Sequence, residues 1–321
     1  MHHSFTLVVG SALCCLVAAP AHAGPVLYAT SYYSNNAYAV NSDGSTTVFG
    51  ATIGHASGIA LDSAGNVYVG SETSNAIYKF TSTGTLIGTF TTDHLNAPTG
   101  MAFDSTGKLF VANGDSGEIN EYSSSGAFLG TFATVPIGSN GLLHGLLIDP
   151  TGNVYVTDIL SGGTGNLIKY NSAGTVLATT TTGLSYPGQI ARDSLGNLYV
   201  SNAGGDHIVK FDSLLNSLGN FASGTGANNY GVAYDAATNT FYQGTFGPSG
   251  NPSGPIQRFD ANGSSLGFVA ADQTTAYFLA VARTEVPAPV PEPSTLIGSL
   301  VMCGMFGAAL GYKRLQGQTA V

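Results

Sequence analysis

Residues 58–66 read GIALDSAGN, and the same nine-residue shape returns four times. It is GMAFDSTGK at 100–108, GLLIDPTGN at 145–153, QIARDSLGN at 189–197 and GVAYDAATN at 231–239. The aspartates Asp62, Asp104, Asp149, Asp193 and Asp235 are separated by 42, 45, 44 and 42 residues. A period of about 40–45 residues is that of a β-propeller blade. Each unit reads as four short strands. An apolar strand enters the D-x-x-G-N hairpin, where Asp bonds turn amides and Gly takes a positive φ. A second strand carries Tyr68, Phe110, Tyr155, Tyr199 or Phe241, and a third runs AIYKF (76–80), EINEY (118–122), LIKY (167–170), HIVKF (207–211) or PIQRF (255–259). A second hairpin then leads to a fourth strand such as TLIGTF (85–90) or AFLGTF (127–132).

The blade count follows from the strands left over. Residues 26–50 supply second, third and fourth strands but no first. Residues 277–283, YFLAVAR, form an apolar strand with no partners of their own. Joined, the two ends make a sixth blade, which leaves no open sheet edge in the ring. The expected fold is all-β: a six-bladed β-propeller over 24–285, closed by a C-terminal strand.

The pattern P-x-G-h-A-h-D-x-x-G-N-h-Y-V with a later K-F or R-F, seen at Pro98, Gly100, Gly152, Asn153, Tyr155 and Val156, resembles NHL repeats. NHL-type propellers stand near gluconolactonase-like and streptogramin-lyase families. The first likeness implies a divalent metal held by a Glu and an Asn/Asp pair near first-strand starts. Those positions here are Ser57, Thr99, His144, Gly188 and Tyr230, which offer no carboxylate or Asn to a hard cation. The second implies a closely spaced His/Glu/His set, whereas the body histidines, 55, 94, 144 and 207, are scattered one per blade. The reading is of no catalytic residues, no metal and no cofactor. A fold shared by many functions does not itself assign one.

Both ends carry sorting signals. Phe5 to Ala19 is an apolar core and Ala21-His22-Ala23 an A-x-A site, so residues 1–23 read as a signal peptide. Its n-region lacks Lys and Arg. Residues 286–295 form a Pro-rich linker ending in VPEPST, followed by a 17-residue apolar run, Leu296 to Tyr312, then Lys313 and Arg314. About 20 apolar residues span a bilayer, and trailing cations fix orientation. The order of these parts resembles the PEP-CTERM signal of exported bacterial proteins. That likeness implies a transmembrane sorting tail over 296–321, recognition at Pro291, Glu292 and Pro293, and an exosortase-type processing enzyme as partner. A permanent anchor is the alternative. Cys14, Cys15 and Cys303 all lie in these end segments, so the body has no thiol for a disulfide or for catalysis.

Setting aside Glu292, Lys313 and Arg314, the 18 acidic and 9 basic residues leave 17 and 7, a net of −10 for the body. An acidic surface without Lys/Arg clusters argues against nucleic acid and against a membrane contact other than through the tail. In a propeller of this strand order, the loops from strand four to one and from two to three share the face where ligands meet the channel. The candidates there are His144, Asp158, Asn202 and Asn113, as exposed loop groups, together with the 244–255 insertion; loop capping is the competing reading for the two asparagines and Asp158, and a structural histidine for His144. SGGTGN (161–166) lacks the G-K-[ST] ending of a phosphate loop and reads as a flexible connection. The functional expectation is an exported, non-catalytic binding or scaffold module of the cell envelope or extracellular matrix, released after tail processing, with an extracellular protein or polysaccharide as partner. The alternative is a secreted, metal-dependent, lactonase-like hydrolase or lyase.

Overall fold

A computed structural model describes residues 25–49, 53–136, 142–223, 228–245, 255–270 and 276–282. The chain divides into two compact units, Met1–Ala282 and Arg283–Val321, and every described residue belongs to the first. The signal peptide, the linker, the sorting motif and the tail lie outside the described residues, as does most of the 244–255 insertion.

The described strands form six antiparallel four-stranded sheets. Five follow the repeats in chain order, beginning at Ala56–Leu61, Pro98–Phe103, Leu142–Ile148, Pro187–Arg192 and Asn229–Asp235. The sixth is composite, as the leftover strands require. Leu279–Val281 pairs antiparallel with Leu27–Ser31, in register Leu27 to Val281 and Ala29 to Leu279, and Asn36–Val40 and Thr46–Phe49 follow outward.

Core residues alternate along strands whose two faces both pack. Each hydrophobic cluster therefore lies between two blades rather than inside one. Tyr68 and Ile77 of the first repeat pack on Met101, Leu109 and Val111 of the second. Phe49 and Phe278 of the closing blade pack on Ile59, Val67 and Phe80 of the first repeat. The outer strands are exposed at Leu86, Ile87, Leu129, Leu177 and Phe268. They bulge against the third strands, for example between Lys79 and Phe80, and such irregularity discourages edge-to-edge pairing.

The hairpin aspartates cap turns. Asp62 Oδ1 accepts from the amides of Ala64 and Asn66, and Oδ2 accepts from Asn66 Nδ2 and the Tyr68 hydroxyl. Asp149 and Asp193 repeat this set with Tyr155 and Tyr199. Although burial opposes it, this donor set holds Asp149 down to about 2. On the same half of the molecule, Lys79, Lys108, Lys169 and Lys210 lie 4.9–5.4 Å over the rings of Tyr68, Phe110, Tyr155 and Tyr199.

Small hydroxyls stitch the blades around the channel. Thr30 donates to Ser57 O at 2.6 Å, Ser57 to Pro98 O at 2.5 Å and Thr99 to Leu143 O at 3.0 Å. Thr157 donates to Gly188 O at 2.7 Å and Ser201 to Tyr230 O at 2.6 Å. The interface between the fifth repeat and the closing blade has Tyr230 and Gly244 where these hydroxyls would stand. Gln189 serves it instead. Its Nε2 donates to Leu279 O at 2.6 Å, while Oε1 accepts from Leu279 N at 2.9 Å and Val232 N at 3.1 Å. Gln189 is the residue that replaces the leading glycine of the other four repeats. The break in the sequence pattern is thus the fastener of the closing strand.

Candidate functional site

In all five repeats the register between first and second strands shifts at one place. The shifts fall between Ala56 and Ile59, Pro98 and Met101, Leu143 and Leu146, Pro187 and Ile190, and Asn229 and Gly231. A bulge re-aims the side chain it carries. The bulged segments hold Ser57, Thr99, His144, Gly188 and Tyr230, so these positions ring the channel. Two are aromatic, and Tyr277 enters from the opposite blade just before the closing strand.

His144 Nε2 lies 2.7 Å from the Tyr277 hydroxyl, a contact that crosses the channel. The imidazole stacks on Phe278 at 5.3 Å and meets Tyr230 at 5.1 Å. Burial lowers its pKa to about 4, so the ring is neutral at ordinary pH. Its Nδ1 is buried with no protein partner. Above this contact is a cavity of about 260 Å³, lined among others by Leu142, His144, Gly163, Tyr186, Tyr230 and Tyr277.

Tyr186 holds a left-handed backbone, φ 49°, unusual for a bulky residue. Its amide donates to Gly163 O at 2.7 Å, and its carbonyl accepts from Ala203 N at 3.1 Å. A Cβ on Gly163 would come within 2.1 Å of the Tyr186 ring, so only glycine lets the two segments close on each other. SGGTGN is therefore a packed wall, with Thr164 bridged to Ser185, and not the flexible connection expected.

The opposite rim carries Tyr32 stacked on His55 at 4.2 Å, with Tyr277 at 5.2 Å and Tyr33 at 5.4 Å. Tyr33 and Tyr186 are 52% and 42% exposed, which leaves open ring surface at the mouth. Beside Tyr32, burial raises the Glu72 carboxyl to about 7; the Ser57 and Tyr32 hydroxyls oppose the shift and the Asp115 charge adds to it. Tyr32 rises to about 12, through burial first and then the Glu72 charge.

The expectation that His144, Asp158, Asn202 and Asn113 are exposed loop groups is corrected: all four are buried. Asn113 Oδ1 accepts from Asn96 N at 2.9 Å, and Asn202 Oδ1 accepts from Ser185 N at 2.5 Å. Each strand-end asparagine caps the loop preceding its own blade. Asp158 Oδ2 accepts from Asn166 Nδ2 at 3.0 Å, and burial raises its pKa. Of the four, only His144 lines the cavity. Residue-by-residue reading missed Tyr32, Tyr33, Tyr186 and Tyr277. Their available signal is an aromatic residue out of step with the repeat: Tyr32 stands where other repeats carry Glu72, Gly114, Ile159 and Ala203, and Tyr277 takes the bulge position of Ser57 and Thr99. Among the described residues, no three His, Cys, Asp or Glu side chains are grouped to hold a metal ion.

Comparison with protein-family models and with curated proteins gives no match. Among solved structures, a chain of a nidogen/laminin complex is similar with TM-score 0.68 at 17% identity, covering 81% of this chain and 98% of that one. A putative gluconolactonase is similar with TM-score 0.56 at 15% identity, covering 69% of this chain and 79% of that one. A streptogramin B lyase is similar with TM-score 0.52 at 16% identity, covering 65% of this chain and 67% of that one. At such identities the likeness shows the fold alone, a propeller shared by proteins named for binding and proteins named for catalysis.

Proposed function

We propose that the protein is an exported, non-catalytic binding module whose channel mouth captures a glycan of the extracellular matrix. The observation that carries this reading is the convergence of Tyr186, Tyr230 and Tyr277 on one small cavity, with Tyr32 and Tyr33 grouped beside Tyr277. Aromatic faces give area at low entropic cost, and a few convergent polar groups fix orientation. At about 260 Å³ the cavity is below the ~300–1,000 Å³ of drug-sized sites, which suits one ring and not a long chain. NHL-type repeats and the PEP-CTERM likeness support an exported module. Under this reading the mature protein starts at Gly24, lacks Leu296 to Val321, and is released by an exosortase-type enzyme. Intact-mass spectrometry of native material checks that directly; a full-length tail in the membrane fraction contradicts it.

The binding test is retention on matrix polysaccharide by affinity electrophoresis. Tyr33→Ala with Tyr186→Ala removes exposed rings, so melting temperature stays while retention falls. Loss of a recognition contact costs more than ~1 kcal/mol. A double variant that is retained like the parent refutes the assignment of the mouth. Glu72 favours a second reading, a hydrolase or lyase, because a carboxyl near pKa 7 suits a general base. Turnover of lactones that is lost in Glu72→Gln would establish it.

A further inference from the structure

The two walls of the cavity differ in chemistry and in origin. Tyr186, Tyr230 and Tyr277 supply the aromatic side, from the fourth repeat, the fifth and the approach to the closing strand. The third repeat alone supplies the aliphatic side, with Leu142, Ile159 and Leu160. Leu142 and Ile159 are register partners across its first two strands. At the position of Leu142 the other repeats carry His55, Ala97, Tyr186 and Asn228, and at that of Ile159 they carry Glu72, Gly114 and Ala203. The propeller therefore does not need branched aliphatic groups here. Nor does the core use them: among the described residues, none of the three stands in the hydrophobic clusters that pack blade on blade. Leu142 is 41% exposed, whereas the other exposed large aliphatic side chains stand on outer strands or in hairpins. Exposed apolar surface gathered at a cavity marks a ligand-binding groove.

We propose that the cavity selects a neutral sugar unit carrying a methyl group, and rejects uronate, sulfated and free-amine sugars. This rests on the glycan reading above. The sugar ring lies against an aromatic face, and the methyl group meets Leu142, Ile159 and Leu160. Two substituents offer that methyl at the edge of a sugar ring: the acetyl group of an acetamido sugar and C6 of a 6-deoxy sugar. The walls are held together before any ligand arrives, by the Tyr186 amide on Gly163 O at 2.7 Å and by the Thr164–Ser185 bridge. Among the described lining residues there is no Lys, Arg, Asp or Glu, so a charged substituent would give up its water without gaining a partner.

The test is calorimetric titration of the full chain with two matched pairs, N-acetylglucosamine against glucose and 6-deoxygalactose against galactose, and with galacturonate and glucosamine. In at least one pair the methyl-bearing member is expected to bind about fourfold or more tightly than its partner. A difference in only one pair upholds the selection and identifies the acetyl group or the C6 methyl as its source. Leu142→Ser should erase the difference and keep the melting temperature, while Leu177→Ser, on an outer strand, should leave both as they are. The same loss of selection is expected of Leu160→Ser, so the wall is tested even where one variant is unstable. Equal affinity within both pairs overturns the methyl selection and leaves the glycan reading standing. So does galacturonate or glucosamine binding as tightly as the methyl-bearing sugar, or a difference that survives in the folded wall variants. No binding of any of these sugars at about 10 mM overturns the glycan reading itself.

Discussion

Gln189→Ala removes the amide that fastens the closing strand and keeps the Cβ, so it tests closure without changing backbone freedom. Three hydrogen bonds are lost, at 2.6 Å to Leu279 O, 2.9 Å from Leu279 N and 3.1 Å from Val232 N. Each contributes about 1 kcal/mol net, and backbone groups left buried without partners make the loss no smaller, giving about 3 kcal/mol in all. For a domain of this size 1 kcal/mol moves the melting temperature by ~2–4 °C, so the expected fall is about 6–12 °C. Urea unfolding gives the free energy, and amide hydrogen exchange localises it. Leu279 and Val232 should lose protection while the D-x-x-G-N hairpins of the second and third repeats keep theirs. A variant that melts within about 2 °C of the parent, with Leu279 still protected, refutes the fastener.

Three further outcomes follow from the same structure. A chain from Gly24 ending at Ala276 loses buried Phe278, Leu279 and Ala282 and exposes the Leu27–Ser31 edge, so size-exclusion with light scattering should show aggregation where Gly24–Pro289 is monomeric; an unchanged monomer refutes the sixth blade. Gln243 is fully buried with neither amide atom partnered, at the position where the other repeats have Val69, Val111, Val156 and Val200, so Gln243→Val should stabilise the fold by about 1–2 kcal/mol in urea unfolding, and a loss of stability contradicts the reading. The neutral His144 takes up its proton only near pH 4 when folded, against about 6.5 unfolded, so the stability it contributes is complete above pH 6.5 and is lost as pH falls toward 4, by at most about 3 kcal/mol. Glu72, raised from 4.5 to about 7, acts with the opposite sign over an overlapping window, its contribution being complete below pH 4.5 and lost as pH rises through 7. The difference between parent and His144→Phe at pH 4.5 and 7.5 therefore isolates the histidine, and equal pH profiles contradict its burial.

Local chemistry was legible in the sequence, and long-range chemistry was not. The cap at Asp62 takes its hydrogen bonds from Ala64, Asn66 and Tyr68, so its spacing is written within seven residues. The composite blade was legible because an unpaired strand at each end can only be satisfied by the other. The asparagines misled because their caps reach back 17 residues, from Asn113 to Asn96 and from Asn202 to Ser185, which turns an apparent loop group into a buried one. The mouth assembles Tyr186 of the fourth repeat with Tyr32 and Tyr277, which reach the closing blade from the two ends of the body, and no local pattern announces that meeting. Gln189 is the intermediate case. Its departure from glycine is visible in the repeat, yet its partner Leu279 is 90 residues away and is known only once the ring closes.

A crystal structure of the protein soaked with an oligosaccharide released from the matrix polysaccharide tests the central claim most directly. The account predicts one sugar ring in the cavity between Tyr186, Tyr230 and Tyr277, with its face against one of those rings. Sugar bound on the D-x-x-G-N face or along the exposed outer strands, with the cavity unfilled, would contradict it.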